Sequence, residues 1–110
     1  MAWLLRDGEV LASLEIAEGL LARSKGLLGR DALDGAMLLK ARSVHTIGMR
    51  FPIDVAFCDR DLVVLDTTTL SPFRLGLPRR RGSHVLEARA GAFDQWRLRP
   101  GDRLEIKGGP

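Results

Sequence analysis

The feature that most constrains the fold is a series of short segments in which apolar and polar residues alternate, separated by residues that favour tight turns. Between positions 10 and 16 every second residue is apolar, and Asp7-Gly8 comes just before this segment. A period of two places alternate side chains on opposite faces of a strand, and Asp-Gly is typical of a two-residue hairpin turn. Residues 2–5 and 10–16 are therefore predicted to form a β-hairpin.

Five further segments are predicted as strands. Segments 53–58 and 62–68 flank the turn Asp59-Arg60-Asp61 and form a second hairpin. Single strands are predicted at 35–41, 84–90 and 103–107, and in the last of these Leu104 and Ile106 are expected to point inward. Because the strands follow one another without long intervening helices, the sheet is expected to be mainly antiparallel.

Two short helices complete the prediction. One begins near Glu18, where leucines recur at helical spacing, and the other covers 91–97, with Phe93 and Trp96 on one side. A chain of 110 residues is enough for one core of ordinary size. The predicted fold class is α+β and mainly β: a single domain over residues 1–110, built on a strongly curved sheet or open barrel that leaves few strand edges unpaired.

The positive charge of the chain is concentrated in two stretches. The formal net charge is +3. Residues 35–53 and 67–86 contain no Asp or Glu, whereas the rest of the chain is net acidic. The cations of these stretches are Lys40, Arg42, Arg50, Arg74, Arg79, Arg80 and Arg81. Arginine is suited to planar contacts with carboxylate or phosphate, although a run of charge can also simply be a solvated loop.

Several functional classes are disfavoured by the sequence. The one cysteine, Cys58, cannot form an internal disulfide, and no spacing of Cys and His is typical of a metal site. We therefore expect no metal and no cofactor. The first apolar run is interrupted at Arg6, too early for a signal peptide, and no run is long enough to cross a membrane. These features predict a soluble, cytoplasmic protein.

The segment 43–54 is the candidate site, because it joins two apolar strands and contains His45, Arg50 and Asp54. His45 could act as a base or as a donor to an anion, or it could bond backbone carbonyl groups. Asp54 could orient His45, or it could form a structural ion pair with Arg50 or Arg74. Glu87 could accept from Arg74 in the same way.

The motifs of this region resemble a known family. The runs His45-Thr46-x-Gly48-Met49-Arg50-Phe51-Pro52-x-Asp54, Leu70-Ser71-Pro72-Phe73-Arg74 and Leu98-Arg99-Pro100-Gly101-Asp102 closely resemble the domain-of-unknown-function 192 family. The matching positions are His45, Met49, Pro52, Asp54, Arg74, Glu87, Gly91, Gly101 and Asp102. The resemblance implies a small, mainly β fold of one domain and no established activity, cofactor or substrate. Residues 45–50 depart from a common form of the family, which has an aromatic-Trp-Met-Lys/Arg-Asn run there.

Three functions are compatible with these observations. The favoured one is a non-catalytic binding module whose basic pocket is formed by the 43–54 and 71–84 connections and takes a small anionic ligand or an acidic protein segment. Its expected ligand-binding residues are His45, Met49, Arg50, Asp54, Arg74 and Glu87. The alternative is a small hydrolase or transferase that uses His45 and Asp54. A further alternative, and a less expected one, is nonspecific association with nucleic acid through Arg79, Arg80 and Arg81. Whether the connections meet in space separates these functions.

Overall fold

A computed structural model describes residues 2–17, 34–45, 51–72, 74–76 and 78–108. They form the following elements: β1 (Ala2–Arg6), β2 (Glu9–Ala17), β3 (Ala36–Leu39), β4 (Val44–His45), β5 (Ile53–Cys58), β6 (Val64–Leu70), β7 (Leu75–Gly76), β8 (His84–Arg89), α1 (Ala92–Trp96) and β9 (Glu105–Gly108). Seven strands make one sheet in the order β6-β5-β8-β3-β2-β1-β9, and β4 pairs with β7 in a second, two-stranded sheet.

The main sheet is antiparallel except where β2 runs parallel to β3, and its seven strands correspond to the seven predicted from the sequence. In the first hairpin Asp7 and Gly8 both have positive φ, 52° and 79°. Two positive φ angles are typical of the type I′ turn, whose twist matches that of the flanking strands. In the second hairpin the Asp59 carboxylate accepts hydrogen bonds from the N–H groups of Asp61 and Val63, which fixes the turn.

The sheet is not closed into a barrel, since β6 and β9 are its two end strands. The residues that precede these strands nevertheless approach each other, because Val63 and Arg103 form an isolated antiparallel bridge. The N–H of Leu104 donates to the carbonyl of Leu62 at 2.9 Å, and the N–H of Val64 donates to that of Asp102 at 2.8 Å. These backbone hydrogen bonds join the two ends of the sheet at one corner, just before β6 and β9.

The central strands are buried on both faces. Every residue of β3 and β5 is buried. On one face the apolar side chains pack with α1, and those of β3, β5 and β8 are Ala36, Leu38, Ala56, Cys58, Leu86 and Ala88. On the other face lie Met37, Leu39, Ile53, Val55, Phe57 and Val85. Continuous apolar runs such as 36–39 reflect this burial on both sides.

The structure bears on the predicted orientations of Leu104 and Ile106 and on the predicted helices. Leu104 is 3% exposed, as expected, but Ile106 is 37% exposed, so the prediction that Ile106 points inward was wrong. The second predicted helix is α1, in which the rings of Phe93 and Trp96 lie 5.6 Å apart. The helix predicted from Glu18 lies outside the described residues. Within the described ranges there is no helix long and apolar enough to span a membrane.

Candidate anion-binding site

The two basic connections meet through their backbones. Strands β4 and β7 pair in antiparallel register, with Val44 opposite Gly76 and His45 opposite Leu75. The N–H of Arg79 donates to the carbonyl of Arg42 at 3.3 Å, which continues the contact beyond the strands. The two acid-free stretches therefore lie against each other over the described residues 42–45 of the first and 75–76 and 79 of the second.

A cleft of about 530 Å³ opens between the β5–β6 turn, residues 80–83 of the second connection and Arg42, which directly precedes the first connection. Its lining residues are Arg42, Asp59, Arg60, Asp61, Arg80, Arg81, Gly82 and Ser83. Two backbone hydrogen bonds hold the second connection in place: the N–H of Ser83 donates to the carbonyl of Cys58 at 2.8 Å, and that of Gly82 to the carbonyl of Arg79 at 2.9 Å. One wall of the cleft is thereby attached to the end of β5.

The lining of the cleft is basic, with four arginines against two aspartates. All four guanidinium-bearing residues are exposed. The Asp59 carboxylate already accepts two backbone N–H groups of its turn, so part of its acceptor capacity is used there. Exposed guanidinium groups around a concave surface can donate paired hydrogen bonds to phosphate or carboxylate oxygens.

Arg79, which the sequence groups with Arg80 and Arg81, has a structural position. Its guanidinium lies 4.1 Å from the centre of the Phe57 ring. Its Nη2 and Nε also donate to Asp66 Oδ2, at 2.7 and 3.1 Å. The stacking and the ion pair hold Arg79 on the face of the sheet that bears Phe57. Of the three consecutive arginines, Arg80 and Arg81 are the two that line the cleft.

Asp54 lies on the face that packs with α1, away from Phe57 and Arg79. It is 3% exposed. Its Oδ1 accepts the Thr69 hydroxyl at 2.7 Å, and its Oδ2 accepts the N–H groups of Gly91 and Phe93 at 3.0 and 3.1 Å. Because Gly91 is the N-cap of α1 and has no side chain, Asp54 supplies the missing cap from a distant strand.

The other predicted ligand-binding residues are placed as follows. Glu87 is 3% exposed and pairs with Met37 and Val55, so it lies on the sheet face opposite Asp54. Arg74 is exposed and directly precedes β7, and both it and Glu87 have interaction partners. The backbone of His45 lies in β4, whereas its side chain and all of Met49 and Arg50 are outside the description. Asp54 and Glu87 are thus not brought together.

Arg60 and Asp61 line the cleft but were not predicted to do so from the sequence. Both belong to a stretch of the sequence that is locally acidic. The charge distribution along the chain therefore grouped Arg60 with acidic residues and not with the arginines of the two basic connections. The signal available was the turn itself: a hairpin turn at the end of a central strand lies at the edge of the sheet, where other connections also emerge.

Cys58 does not contribute a reactive thiol. Burial in the core, with a smaller effect of Asp59, raises the pKa of Cys58 from 9.0 to about 12. His84 pairs with Cys58 across β5 and β8, and its buried Nδ1 has no hydrogen-bond partner among the described groups. Since the thiolate is the nucleophile, the high pKa disfavours chemistry at this pair. In the described ranges no three His, Cys, Asp or Glu residues are grouped as metal ligands.

Comparison with known proteins identifies relatives of the same fold. The model of the DUF192 family, described as an uncharacterized ACR, matches residues 2–106. A UPF0127 protein of Pyrococcus furiosus is 32% identical over 103 residues, which cover 88% of this chain and 89% of the relative. One of Pyrococcus horikoshii is 32% identical over 105 residues, which cover 90% and 88%.

Two crystal structures share the architecture. A protein of unknown function from Novosphingobium aromaticivorans superposes with a TM-score of 0.79 at 21% identity, over 94% of this chain and 82% of that one. A protein from Sinorhizobium meliloti, whose name suggests a transcription regulator, has a TM-score of 0.80 at 24% identity, over 96% and 91%. At these identities the likeness concerns the fold alone.

Proposed function

Because the chain belongs to the DUF192 family, whose description states no activity, we propose a function from the chain's own surface. The protein is a non-catalytic binding module that holds a small anionic ligand, or an acidic protein segment, in the cleft between its two basic connections. The observation that carries the proposal is the placement of Arg42, Arg60, Arg80 and Arg81 around one concave surface.

The size of the expected binding free energy follows from the exposure of the four arginine side chains to solvent. Charge pairs in contact with water contribute about 0.2–1 kcal/mol each, since solvent screens them. Four guanidinium groups acting on one polyanion therefore provide up to about 4 kcal/mol, which corresponds to a dissociation constant of about 1 mM. Binding of this kind weakens as salt is added, because the screening length falls to about 8 Å at physiological ionic strength.

The environment of Asp54 favours binding over hydrolysis. In the alternative function Asp54 orients His45, yet both its oxygens bond to Thr69 and to the backbone of Gly91 and Phe93. These bonds direct the carboxylate toward α1 and leave it a structural role. We keep His45, Met49, Arg50 and Arg74 in the proposal as predicted ligand residues of the 43–54 and 71–84 connections. Glu87 stays in it as a predicted ligand residue.

The pairing of Arg79 with Asp66 favours a compact ligand over a nucleic-acid strand. A strand needs a row of cations that follows successive phosphates. Here the cations surround a cleft, and one member of the basic run is already neutralised. The cytoplasmic location stays a prediction.

The test uses pyrophosphate and citrate as probes. Isothermal titration of the wild type at 20 mM and 300 mM NaCl is expected to give saturable binding that weakens at least fivefold at the higher salt. The double variant Arg80→Gln/Arg81→Gln should lose between about twofold and about thirtyfold in affinity, because each exposed guanidinium contributes about 0.2–1 kcal/mol. The matched control is Arg99→Gln, which removes an equally exposed guanidinium from a turn outside the cleft. Absence of binding by both probes, or an equal loss in the control, refutes the proposal.

A further inference from the structure

We propose a second binding site, for a carboxylate attached to a short apolar group, in a polar cavity where β2, β8 and α1 converge. The cavity has a volume of about 340 Å³. It is lined by Leu11, Ala12, Ser13, Gly35, Arg89, Ala92, Gln95 and Trp96. It shares no lining residue with the arginine cleft, so it goes beyond the function proposed above and does not depend on it.

The cavity exists because β2 is longer than its neighbour β3. β2 has nine residues and β3 has four, and their parallel register begins at Leu14 and Ala36. Residues 9–13 of β2 pair with β1 on one side, but within the described ranges they have no strand partner on the other. This leaves a notch in the sheet, and backbone groups of β2 border it.

Gly35 shapes the end of the notch at which β3 begins. Its φ is +76°, and a Cβ there would lie 2.3 Å from Ser13 Oγ and 2.6 Å from the Ser13 carbonyl oxygen. Only glycine lets the chain enter β3 this close to Ser13. The close approach places the Ser13 side chain at the wall of the cavity.

Arg89 provides the anion-recognising group. It is the last residue of β8 and is exposed. Its Nη2 donates to Gln95 Oε1 at 2.5 Å, so one edge of the guanidinium is held by a side chain of α1. The other N–H groups of the guanidinium are left to donate to a ligand. Among the residues that the structure describes, none that lines the cavity is acidic, so a bound carboxylate meets no negative charge from this lining.

The rest of the lining defines what accompanies the carboxylate. Trp96 and Leu11 are half-buried and pack against the core, and they provide an apolar wall beside Arg89. A single guanidinium matches one carboxylate in a bidentate pair, whereas a phosphate dianion would keep a charge uncompensated. The volume accommodates a group of a few heavy atoms. Either a free short-chain acid or the C-terminal residue of a peptide has this chemistry.

The experiment follows the fluorescence of Trp96 in a Trp3→Phe background, which removes the other tryptophan. The probes are isovalerate and the dipeptide Ala-Leu, each compared with its amide. We expect saturable change with at least one free acid and none with either amide. Binding of isovalerate indicates a free acid as the natural ligand, and binding of Ala-Leu alone indicates a peptide C-terminus. Equal response to the amides, or no saturation with either acid, overturns the proposal.

Two variants locate the effect. Arg89→Gln is expected to weaken binding of the responding acid at least tenfold, and Gln95→Leu, which frees the guanidinium but keeps its charge, by a smaller factor. The matched control is Arg103→Gln, an exposed arginine outside the cavity lining, with unchanged affinity expected. Thermal unfolding of each variant confirms that it is folded during the titration. Unchanged affinity in a folded Arg89→Gln variant contradicts the assignment.

Discussion

Replacement of Asp54 by alanine is expected to be among the most destabilising single changes in this chain. Asp54 joins three elements, because its carboxylate accepts from Thr69 in β6 and from Gly91 and Phe93 at the start of α1. A hydrogen bond to a charged group contributes about 1.5–3 kcal/mol, and an unsatisfied buried N–H costs about 1–3 kcal/mol. The Phe93 bond is buried.

Taking about 1.5 kcal/mol for each of the two backbone bonds and about 1 kcal/mol for the bond from the exposed Thr69, Asp54→Ala should reduce the free energy of unfolding by about 4 kcal/mol. This is a large fraction of the roughly 5–15 kcal/mol that stabilises an ordinary domain. Asp54→Asn keeps one acceptor oxygen and should lose about half as much. Thr69→Val removes one part-buried bond that an exposed residue donates, so it should cost less than the range above, about 1 kcal/mol.

The assay is urea unfolding followed by far-ultraviolet circular dichroism at 25 °C and pH 7. The matched control is Asp94→Ala, an exposed acid in the first turn of the same helix, expected within about 0.5 kcal/mol of wild type. A double-mutant cycle with Thr69→Val should give a coupling of about 1 kcal/mol. The reasoning fails if Asp54→Ala lies within 1 kcal/mol of wild type, or if the control loses as much.

Three further predictions concern other parts of the fold. Gly35→Ala should cost at least 2 kcal/mol more than Gly8→Ala by urea unfolding, because both have positive φ but only Gly35 has an atom within 4 Å of an added Cβ; equal costs would contradict this. Because the pKa of Cys58 is raised to about 12, the unfolded thiol loses its proton first, so stability is full below pH 9 and falls above it, by about 1.4 kcal/mol at pH 10. A Cys58→Ala variant should lack this decrease, and an identical pH profile would refute it. Arg79→Lys should cost about 1 kcal/mol, since lysine cannot both stack on the ring and reproduce the two hydrogen bonds to Asp66 Oδ2; retained stability at low and high salt would argue against a role for these two bonds.

The strands were predictable because residues close together in the sequence specify them. Alternation at 10–16 and the Asp7-Gly8 pair specify a hairpin without reference to the rest of the chain. Strands β4 and β7 were not predictable in the same way, because a two-residue strand has no periodicity. Their pairing depends on where the longer strands place the two connections.

The candidate site was predictable in its region but not in its members. The charge distribution indicated that the two connections matter, and their backbones do meet. It could not indicate that Asp66 neutralises Arg79, or that Asp54 caps a helix that begins at a glycine, since both contacts join residues distant in sequence. A side chain's partners are set by the sheet register, and the register depends on strands across the whole chain.

The most direct test of the central claim is amide chemical-shift mapping with pyrophosphate on the ¹⁵N-labelled protein in 20 mM salt. The account predicts that the amides of Arg42, Arg60, Arg80, Arg81 and Ser83 shift together with one dissociation constant, and that those of β9 do not move. Shifts spread evenly over the surface, or confined to residues outside the cleft, would contradict the claim that the two basic connections form one anion-binding site.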